Sequence, residues 1–316
     1  MNRFLLKLLI ILVIVFLAWA TFVPREPFSE ETVLFKIEKG EGSRDIAFNL
    51  EKEGFIIASP VFRLYVLTLG IAENLQAGVY SLSPSMSVPK IAGILSRGET
   101  AKDKITIIEG WTLRDIASYF KEKGISSQEE LFALTGLPLS SDSKEGFLFP
   151  DTYLVDYGAS LDEIISQIES NFDSKLDPYL EAIQEKGLSL EEIITMASLI
   201  EKEVQTKEDK EMVSGIFWKR VKAGVPLQSC ASIAYIKGVP QWRYSFEDTR
   251  IESPYNTYLY YGLPPGPISN PGLDSIEAAI YPKDSLYWYY LSTLEGETIY
   301  SRTLDEHNAA TAKYLR

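Results

Sequence analysis

A glutamate lies within the apolar face of an amphipathic segment at residues 190–204. The apolar side chains of this predicted helix share one sector: Ile193, Ile194, Ala197, Ile200 and Val204. At about 100° per residue, Glu201 falls inside that sector, whereas Glu203 points about 200° away from Glu201. Because burial disfavours the charged form of a carboxyl group, Glu201 is predicted to have a raised pKa and to act as a general acid. A second interpretation stays open, in which the stem of Glu201 packs and its carboxylate reaches solvent.

A stiff loop with aromatic and amide side chains is the second candidate for a functional element. Residues 262–272 contain four prolines and three glycines, which restrict the backbone and leave few donors for regular structure. The loop is either a surface connection or the rigid wall of a cleft. As a cleft wall, the loop together with the preceding residues 255–258 offers Asn256, Tyr258 and Asn270 as hydrogen-bonding and stacking groups for a sugar. Further aromatic surface comes from Tyr287, Trp288, Tyr289 and Tyr290. Because side chains alternate along a strand, about half of these rings are expected to face the core.

Composition excludes several classes of function. The net charge of −13 disfavours a nucleic-acid partner, which requires clustered lysine and arginine. The chain has one cysteine, Cys230, and one histidine, His307, so that no intramolecular disulfide or histidine-rich metal centre is expected. Neither a glycine-rich phosphate loop, nor a dinucleotide fingerprint, nor a serine-nucleophile elbow occurs. We therefore predict an enzyme without metal or cofactor.

The N-terminus reads as a membrane segment. Residues 4–23 are almost entirely apolar, the length that crosses a bilayer as a helix. Arg3 and Lys7 place residues 1–3 in the cytoplasm and the bulk of the chain beyond the cytoplasmic membrane. The competing interpretation is a cleaved signal peptide, because Ala18-Trp19-Ala20 has the form of a cleavage site. We favour a retained single-pass anchor because the apolar run continues past that site, and we expect a linker at residues 24–32.

A repeat follows the linker. Residues 40–47, Gly-Glu-Gly-Ser-Arg-Asp-Ile-Ala, recur as Gly-Trp-Thr-Leu-Arg-Asp-Ile-Ala at 110–117. Each copy follows a predicted strand, at 33–38 and 104–108, and continues as a helix closed by Gly54 or Gly124. The unit is either a packing device or a carbohydrate-binding module.

The remaining pattern predicts an α+β fold with two extracytoplasmic domains. We expect an N-terminal module at 33–145 and a mixed α+β domain at 146–316. Helices are predicted at 60–69, 88–96, 127–135, 161–172, 178–185, 190–204, 208–223 and 305–315. A strand is predicted at 77–82, and a hairpin joins 286–293 to 298–302 around Glu295 and Gly296. Helices and antiparallel strands in separate runs are typical of the α+β class.

Four ordered motifs resemble the endolytic murein transglycosylase family. They are Gly-Phe-Leu-Phe-Pro-Asp-Thr-Tyr at 146–153, Ala-Ser-Leu-Ile-Glu-Lys-Glu at 197–203, Leu-Gln-Ser at 227–229, and the stretch at 255–272. The resemblance covers nearly the whole chain, including the N-terminal span, and it identifies the repeat region as a LysM-like module. It implies that the first glutamate of the second motif, Glu201, is catalytic.

The resemblance further implies cleavage of the β-1,4 bond between N-acetylmuramic acid and N-acetylglucosamine, leaving 1,6-anhydro ends. One glutamate then suffices, because the sugar's own 6-hydroxyl replaces water. Peptidoglycan strands are the implied substrate and wall-synthesis enzymes the implied partners. Gln228 is a further candidate for substrate contact. One departure stands out: the family commonly continues Leu-Gln-Ser with Asp-Pro-Thr, where this chain has Cys230-Ala231-Ser232.

Two other classes remain as alternatives. A non-catalytic wall-binding scaffold would use the repeat to hold glycan or a synthesis partner, with activity lost through the change at Cys230. A lyase that uses pyridoxal phosphate would need a Schiff-base lysine, and Lys202 points away from the apolar sector.

Overall fold

The computed structural model describes residues 3–140, 142–239, 241, 244–293 and 295–315. The chain begins with helix α1, Arg3–Phe22, which matches the predicted span within one residue at each end. The chain divides into two compact units, and α1 belongs to the first. The first comprises residues 1–105 and 154–159, and the second comprises residues 106–153 and 160–316.

The first unit is built on a strand–helix–helix–strand arrangement. Its elements are β1 (Val33–Ile37), α2 (Ser43–Lys52), α3 (Ser59–Thr68), β2 (Gly78–Leu82) and α4 (Val88–Arg97). Strands β1 and β2 pair antiparallel, with Val33 opposite Leu82 and Ile37 opposite Gly78. The inward side chains of both strands and the apolar faces of the helices form one core, which includes Phe35, Phe62 and Tyr80. The strands and helices predicted for this region are confirmed within two residues at each end.

The repeat is a repeat of structure as well as of sequence. Its second copy gives β3 (Lys102–Thr106), α5 (Leu113–Glu122), α6 (Gln128–Thr135) and β4 (Thr152–Asp156), in the same order as β1 to β2. Strands β3 and β4 pair in a two-stranded sheet. Strand β3 lies two residues before its predicted position. Gly40 and Gly110, which stand before the helix in each copy, both have positive φ, the conformation that glycine adopts without a steric penalty.

The second unit is mainly helical. Its elements after β4 are α7 (Leu161–Leu176), α8 (Leu180–Glu185), α9 (Leu190–Glu203), α10 (Lys207–Ala223), α11 (Cys230–Lys237), α12 (Leu273–Ile280), the antiparallel hairpin of β5 (Tyr289–Ser292) and β6 (Thr298–Ser301), and α13 (Leu304–Tyr314). Helix α9 lies at the centre, because every residue from Ile193 to Ile200 is buried. Helices α8, α10, α11 and α12 pack around it.

The predicted domain boundary at residue 146 differs from the observed division. Helices α5 and α6 belong to the second unit, and α5 is tied into it through polar groups. The Arg114 side chain donates to the Tyr235 carbonyl at 2.8 Å, and the Leu113 amide donates to the buried Glu145 carboxylate at 3.0 Å. Helices α11 and α12, of eight residues each, were not predicted. Neither begins with a capping box, the N-terminal signal that the equally short α6 has.

Candidate active site

Helix α9 positions two glutamates in different surroundings. The helix begins with a capping box, in which the Ser189 hydroxyl accepts from the Glu192 amide and the Glu192 carboxylate accepts from the Ser189 amide. Its last turn carries Glu201 and Glu203, and the separation of two residues turns their side chains to different neighbours. The two carboxylates therefore have different hydrogen-bond partners.

Glu201 lies in a polar clasp. Its side chain is 9% exposed and pairs with the equally buried Lys210 of α10, whose Nζ lies 3.2 Å from each carboxylate oxygen. Oε2 also accepts from the Gly272 amide at 3.0 Å and from the Ser275 hydroxyl at 2.7 Å. The apolar surroundings expected from the helix pattern are therefore replaced by a cation and two hydrogen-bond donors.

The clasp joins three helices. Glu201 comes from α9, Lys210 from α10, and Gly272 and Ser275 from the first turn of α12, where a carboxylate is favoured by the helix dipole. Glu109 lies beside it, and burial, followed by the negative charge of Glu201, raises the pKa of Glu109. A side chain at position 272 would collide with Glu109, since an added Cβ would lie 2.0 Å from Oε1. The contacts of Glu201 are those of a side chain that holds these helices together.

A cleft of about 570 Å³ opens on the other side of α9. Its walls come from the end of α9, the 227–230 segment, Tyr258, hairpin β5–β6 and α13. The residues central to its chemistry are Glu203, Gln228, Cys230, Tyr258, Tyr289 and His307. A volume of this size suits a sugar-sized ligand, and aromatic rings with a few polar groups are the usual lining for one. Glu201 is not among the residues that line it.

Glu203 is the carboxylate of this cleft. Its oxygen accepts from the Ser229 hydroxyl and, at 3.5 Å, from the Ala231 amide. Burial raises the pKa of the Glu203 carboxyl, and this outweighs the opposing effects of hydrogen bonds from Ser229 and Tyr290 and of the Arg220 charge. The raised pKa and the cleft thus coincide at Glu203.

Arg220 fixes the frame around Glu203. Its guanidinium is buried and donates to the Leu227 carbonyl at 2.8 Å and to the Trp288 carbonyl at 2.7 and 3.0 Å. The same group lies 5.1 Å from the centre of the Tyr289 ring. Since most of its hydrogen-bonding capacity is used on backbone carbonyls, Arg220 positions the walls of the cleft.

The structure brings Gln228 and Tyr258 to the cleft, as their predicted role requires. The backbone N–H of Gln228 donates to the Thr257 carbonyl at 3.0 Å, and the backbone N–H of Ser229 donates to the Thr257 hydroxyl at the same distance. These bonds join two of the sequence motifs. Gln228 has a φ of 50°, a strained conformation for a residue with a side chain. The Tyr258 hydroxyl lies 3.1 Å from the Cys230 thiol, and burial raises the pKa of that thiol.

Asn256 and Asn270 are not brought to the cleft, contrary to their predicted contact with a sugar. Both are wholly buried. The Asn256 amide donates to the carbonyls of Thr249 and Ile251 and accepts from the Tyr258 amide at 3.0 Å. The Asn270 side chain donates to the Trp111 carbonyl and accepts from the Leu148 amide, both at 2.9 Å. Each asparagine holds a loop in place, as a buried amide must find partners.

The structure places Glu201, the predicted acid, in the clasp, whereas Glu203 lines the cleft. The second glutamate of the Glu-Lys-Glu motif is the sequence signal for Glu203, although its direction leaves the apolar sector of α9. His307 was also missed as a lining residue; it stacks on Tyr289 with ring centres 5.4 Å apart, in a helix whose pattern gives no such indication. Across the described ranges, no three histidine, cysteine or acidic side chains come together as metal ligands.

The chain is similar to proteins of known family over most of its length. A sequence model of the YceG-like family matches residues 35–313. An endolytic murein transglycosylase of Bacillus subtilis strain 168 is 34% identical over 92% of this chain and 87% of that protein. One of Streptococcus pneumoniae strain D39 is 30% identical over 93% of this chain, which spans 60% of the pneumococcal protein's length.

The fold has a solved counterpart. The crystal structure of a putative YceG-like protein from Listeria monocytogenes superposes with a TM-score of 0.61 at 31% identity, and the match covers 89% of this chain and all of that one. The family match spans both units and includes every residue of the cleft except Leu315. Relatives named endolytic murein transglycosylase are similar to this chain along nearly the whole of its length. The chain belongs to the YceG-like family.

Proposed function

We propose that this protein is an endolytic peptidoglycan lytic transglycosylase and that Glu203 is its general acid and base. The observation that carries the proposal is the Glu203 carboxyl, which has a raised pKa and lines the aromatic cleft. An acid of this kind retains a proton that it can donate at a pH where an ordinary glutamate is ionised. The names of the relatives support murein as the substrate.

One carboxyl can perform the whole reaction. Protonated Glu203 donates its proton to the oxygen of the β-1,4 bond between N-acetylmuramic acid and N-acetylglucosamine as the bond from that oxygen to C1 breaks. The ionised carboxylate then accepts the proton of the muramic acid 6-hydroxyl, whose oxygen forms the new bond to C1. The product has a 1,6-anhydro end, no water is consumed, and Glu203 is reprotonated for the next cycle.

The other cleft residues would hold the glycan. Tyr258 and Tyr289 contribute aromatic side chains to the lining, and Gln228 offers its side-chain amide for hydrogen bonds to the sugar substituents. Glu201, which the sequence suggests as the acid, acts in this proposal as a positioning residue through the clasp with Lys210. Its own catalytic role stays a prediction that the experiment below decides.

The N-terminal part would place the enzyme at the membrane. Helix α1 is 20 residues long and contains an 18-residue window with a mean hydropathy of 2.7, so that it is long and apolar enough to span a bilayer. We propose that it anchors the chain in the cytoplasmic membrane with the catalytic unit outside. The strand–helix–helix–strand order of β1 to β2 supports a LysM-like module that binds glycan, and wall-synthesis enzymes in the same membrane are the proposed partners.

Product analysis tests the proposal. Detergent-solubilised full-length protein is incubated with peptidoglycan, and 1,6-anhydro-muramyl products are measured by mass spectrometry for wild type, Glu203→Gln and Glu201→Gln. We expect Glu203→Gln to lower the rate at least about 10²-fold, since general acid–base catalysis contributes that much or more. Glu201→Gln protein that is folded should retain product formation.

Two outcomes would overturn parts of this proposal. Wild-type activity in Glu203→Gln, with no product from folded Glu201→Gln, would assign the acid to Glu201. Wild-type protein that binds peptidoglycan but yields no anhydro ends would favour the non-catalytic scaffold. In that case Cys230, where the family commonly has aspartate, becomes the first residue to change.

A further inference from the structure

The first unit carries a surface that is separate from the cleft. A groove of about 600 Å³ lies between α2 and α3 and is lined by Arg44, Phe48, Arg63, Leu64 and Leu67, among others. Its apolar members are exposed: Phe48 by 60%, Leu64 by 49% and Leu67 by 53%. A folded protein seldom leaves three large apolar side chains of one groove in water without a use for them.

The groove is also cationic. Arg44 and Arg63 form no ion pair in the part of the chain that the structure describes. The charges of the first unit cancel, so that the whole net charge of −13 falls on the second unit. Two unpaired arginines beside exposed leucine and phenylalanine form the combination that binds an anionic lipid surface, where cations meet phosphates and apolar groups enter the acyl boundary.

Helix α1 sets the depth of this unit if it spans the membrane, and the inference rests on that proposed anchor. A 20-residue helix is about 30 Å long, the thickness of the hydrocarbon core. Most of its residues are exposed, but Leu17, Ala20 and Thr21 are covered, a spacing that marks one face of the helix. Helices α3 and α4 contact α1.

Those covered residues lie close to the outer end of the span. Ala20 is two residues, or about 3 Å, from the end of α1 at Phe22, and Leu17 is about 7.5 Å from it. The chain after the span is also held against the unit, because Arg25 lies against the Glu51 carbonyl and the Glu26 amide donates to the Pro84 carbonyl at 3.1 Å. Parts of the first unit that touch α1 are thus at the depth of the headgroups.

We propose that the first unit docks on the outer surface of the membrane through the groove between α2 and α3. Phe48, Leu64 and Leu67 enter the boundary between headgroups and acyl chains, and Arg44 and Arg63 bind lipid phosphates. The anchor therefore ends in a surface-bound unit, and the height of the first unit above the bilayer is fixed by contact with lipid.

Site-specific fluorescence in proteoliposomes tests this proposal with the full chain. In a Cys230→Ser background, single variants Leu64→Cys and Leu67→Cys carry an environment-sensitive fluorophore. The vesicles contain phosphatidylcholine and phosphatidylglycerol at a ratio of about 7:3, which gives an anionic surface. Lys36→Cys, on β1 outside the groove, is the matched control, and Leu12→Cys, in the middle of α1, reports insertion. Spin-labelled lipids serve as quenchers.

We expect quenching and a blue shift at positions 64 and 67 and at 12, and neither at 36. Arg44→Gln and Arg63→Gln should each lower the ratio of docked to undocked protein about fivefold, the effect of one cation at an anionic surface. Quenching at 12 without quenching at 64 and 67 overturns the docking proposal and leaves the anchor intact. No quenching at 12 overturns both.

Anhydro-product formation reports the proposed activity separately, and it is measured on vesicles that carry the wild-type chain, because the labelling background changes Cys230 of the cleft. Protection of positions 64 and 67 by added glycan strands in lipid-free detergent, with no lipid quenching, would identify the groove as a glycan site and also overturn the proposal.

Discussion

Breaking the Glu201–Lys210 pair should weaken the fold far more than it alters the chemistry. In Glu201→Gln the ammonium of Lys210, whose side chain is 5% exposed, stays buried without its anionic partner. Removing one member of a buried pair costs about 3–5 kcal/mol, and glutamine retains an oxygen for Gly272 and Ser275, so we expect a value near the lower end, about 3 kcal/mol. In a unit of about 200 residues this lowers Tm by roughly 6–12 °C.

The assay is thermal unfolding of the detergent-solubilised full chain, followed by product analysis below the lower Tm. Combining Glu201→Gln with Lys210→Met removes the charge left unpaired and should recover most of the loss. The matched control is Glu208→Gln, which breaks an exposed pair with Lys283 and should change stability by less than about 1 kcal/mol. A Glu201→Gln protein with wild-type Tm and no product would refute the structural role.

Three further predictions address the core and the cleft. Burial raises the pKa of the Glu145 carboxyl group from 4.5 to about 8, so the folded protein keeps a proton that the unfolded chain loses. The stability gained is full below about pH 4.5 and is lost as pH rises through 8, about 5 kcal/mol in all, and urea unfolding of Glu145→Gln should lack this pH dependence. N-ethylmaleimide should modify Cys230 slowly at pH 7, faster as pH rises, and abolish activity unless glycan strands protect it; modified protein with full activity would place the reaction elsewhere. Gln228→Ala should raise KM with little change in Tm. Asn270→Ala should lower the free energy of unfolding by about 1–3 kcal/mol and leave KM unchanged, as kinetics and unfolding of both variants would show.

The regular elements were largely accessible to sequence reasoning. Caps, glycine stops and hydrophobic periodicity act over a few residues, so α3, α4, α9 and the hairpin β5–β6 lie within about three residues of their predicted positions at each end. The family resemblance was likewise confirmed by comparison. The domain boundary was not accessible, because the contacts that draw α5 into the second unit, such as that of Arg114 with Tyr235, join residues more than a hundred positions apart.

The site was accessible only in part. Periodicity identifies which residues face the core, and it selected Glu201 because that residue points inward; it could not indicate that Lys210 and the start of α12 would meet it there. Nor could it indicate that a cleft would form against the opposite side of α9, where Glu203 lies. An inward carboxylate predicts burial, and burial alone does not distinguish a buried ion pair from a catalytic acid.

The inclusion of α5 and α6, the two helices of the second repeat copy, in the second unit determines where this protein can be cut. A fragment beginning at residue 146 would lack the Arg114 guanidinium and the Trp111 carbonyl, leaving the Tyr235 carbonyl and the Asn270 side chain short of partners in its core. The smallest piece that could fold by itself must therefore start upstream of residue 106. Although the two copies look interchangeable in sequence, only the first lies wholly within one unit, so that only the first could be exchanged as a module.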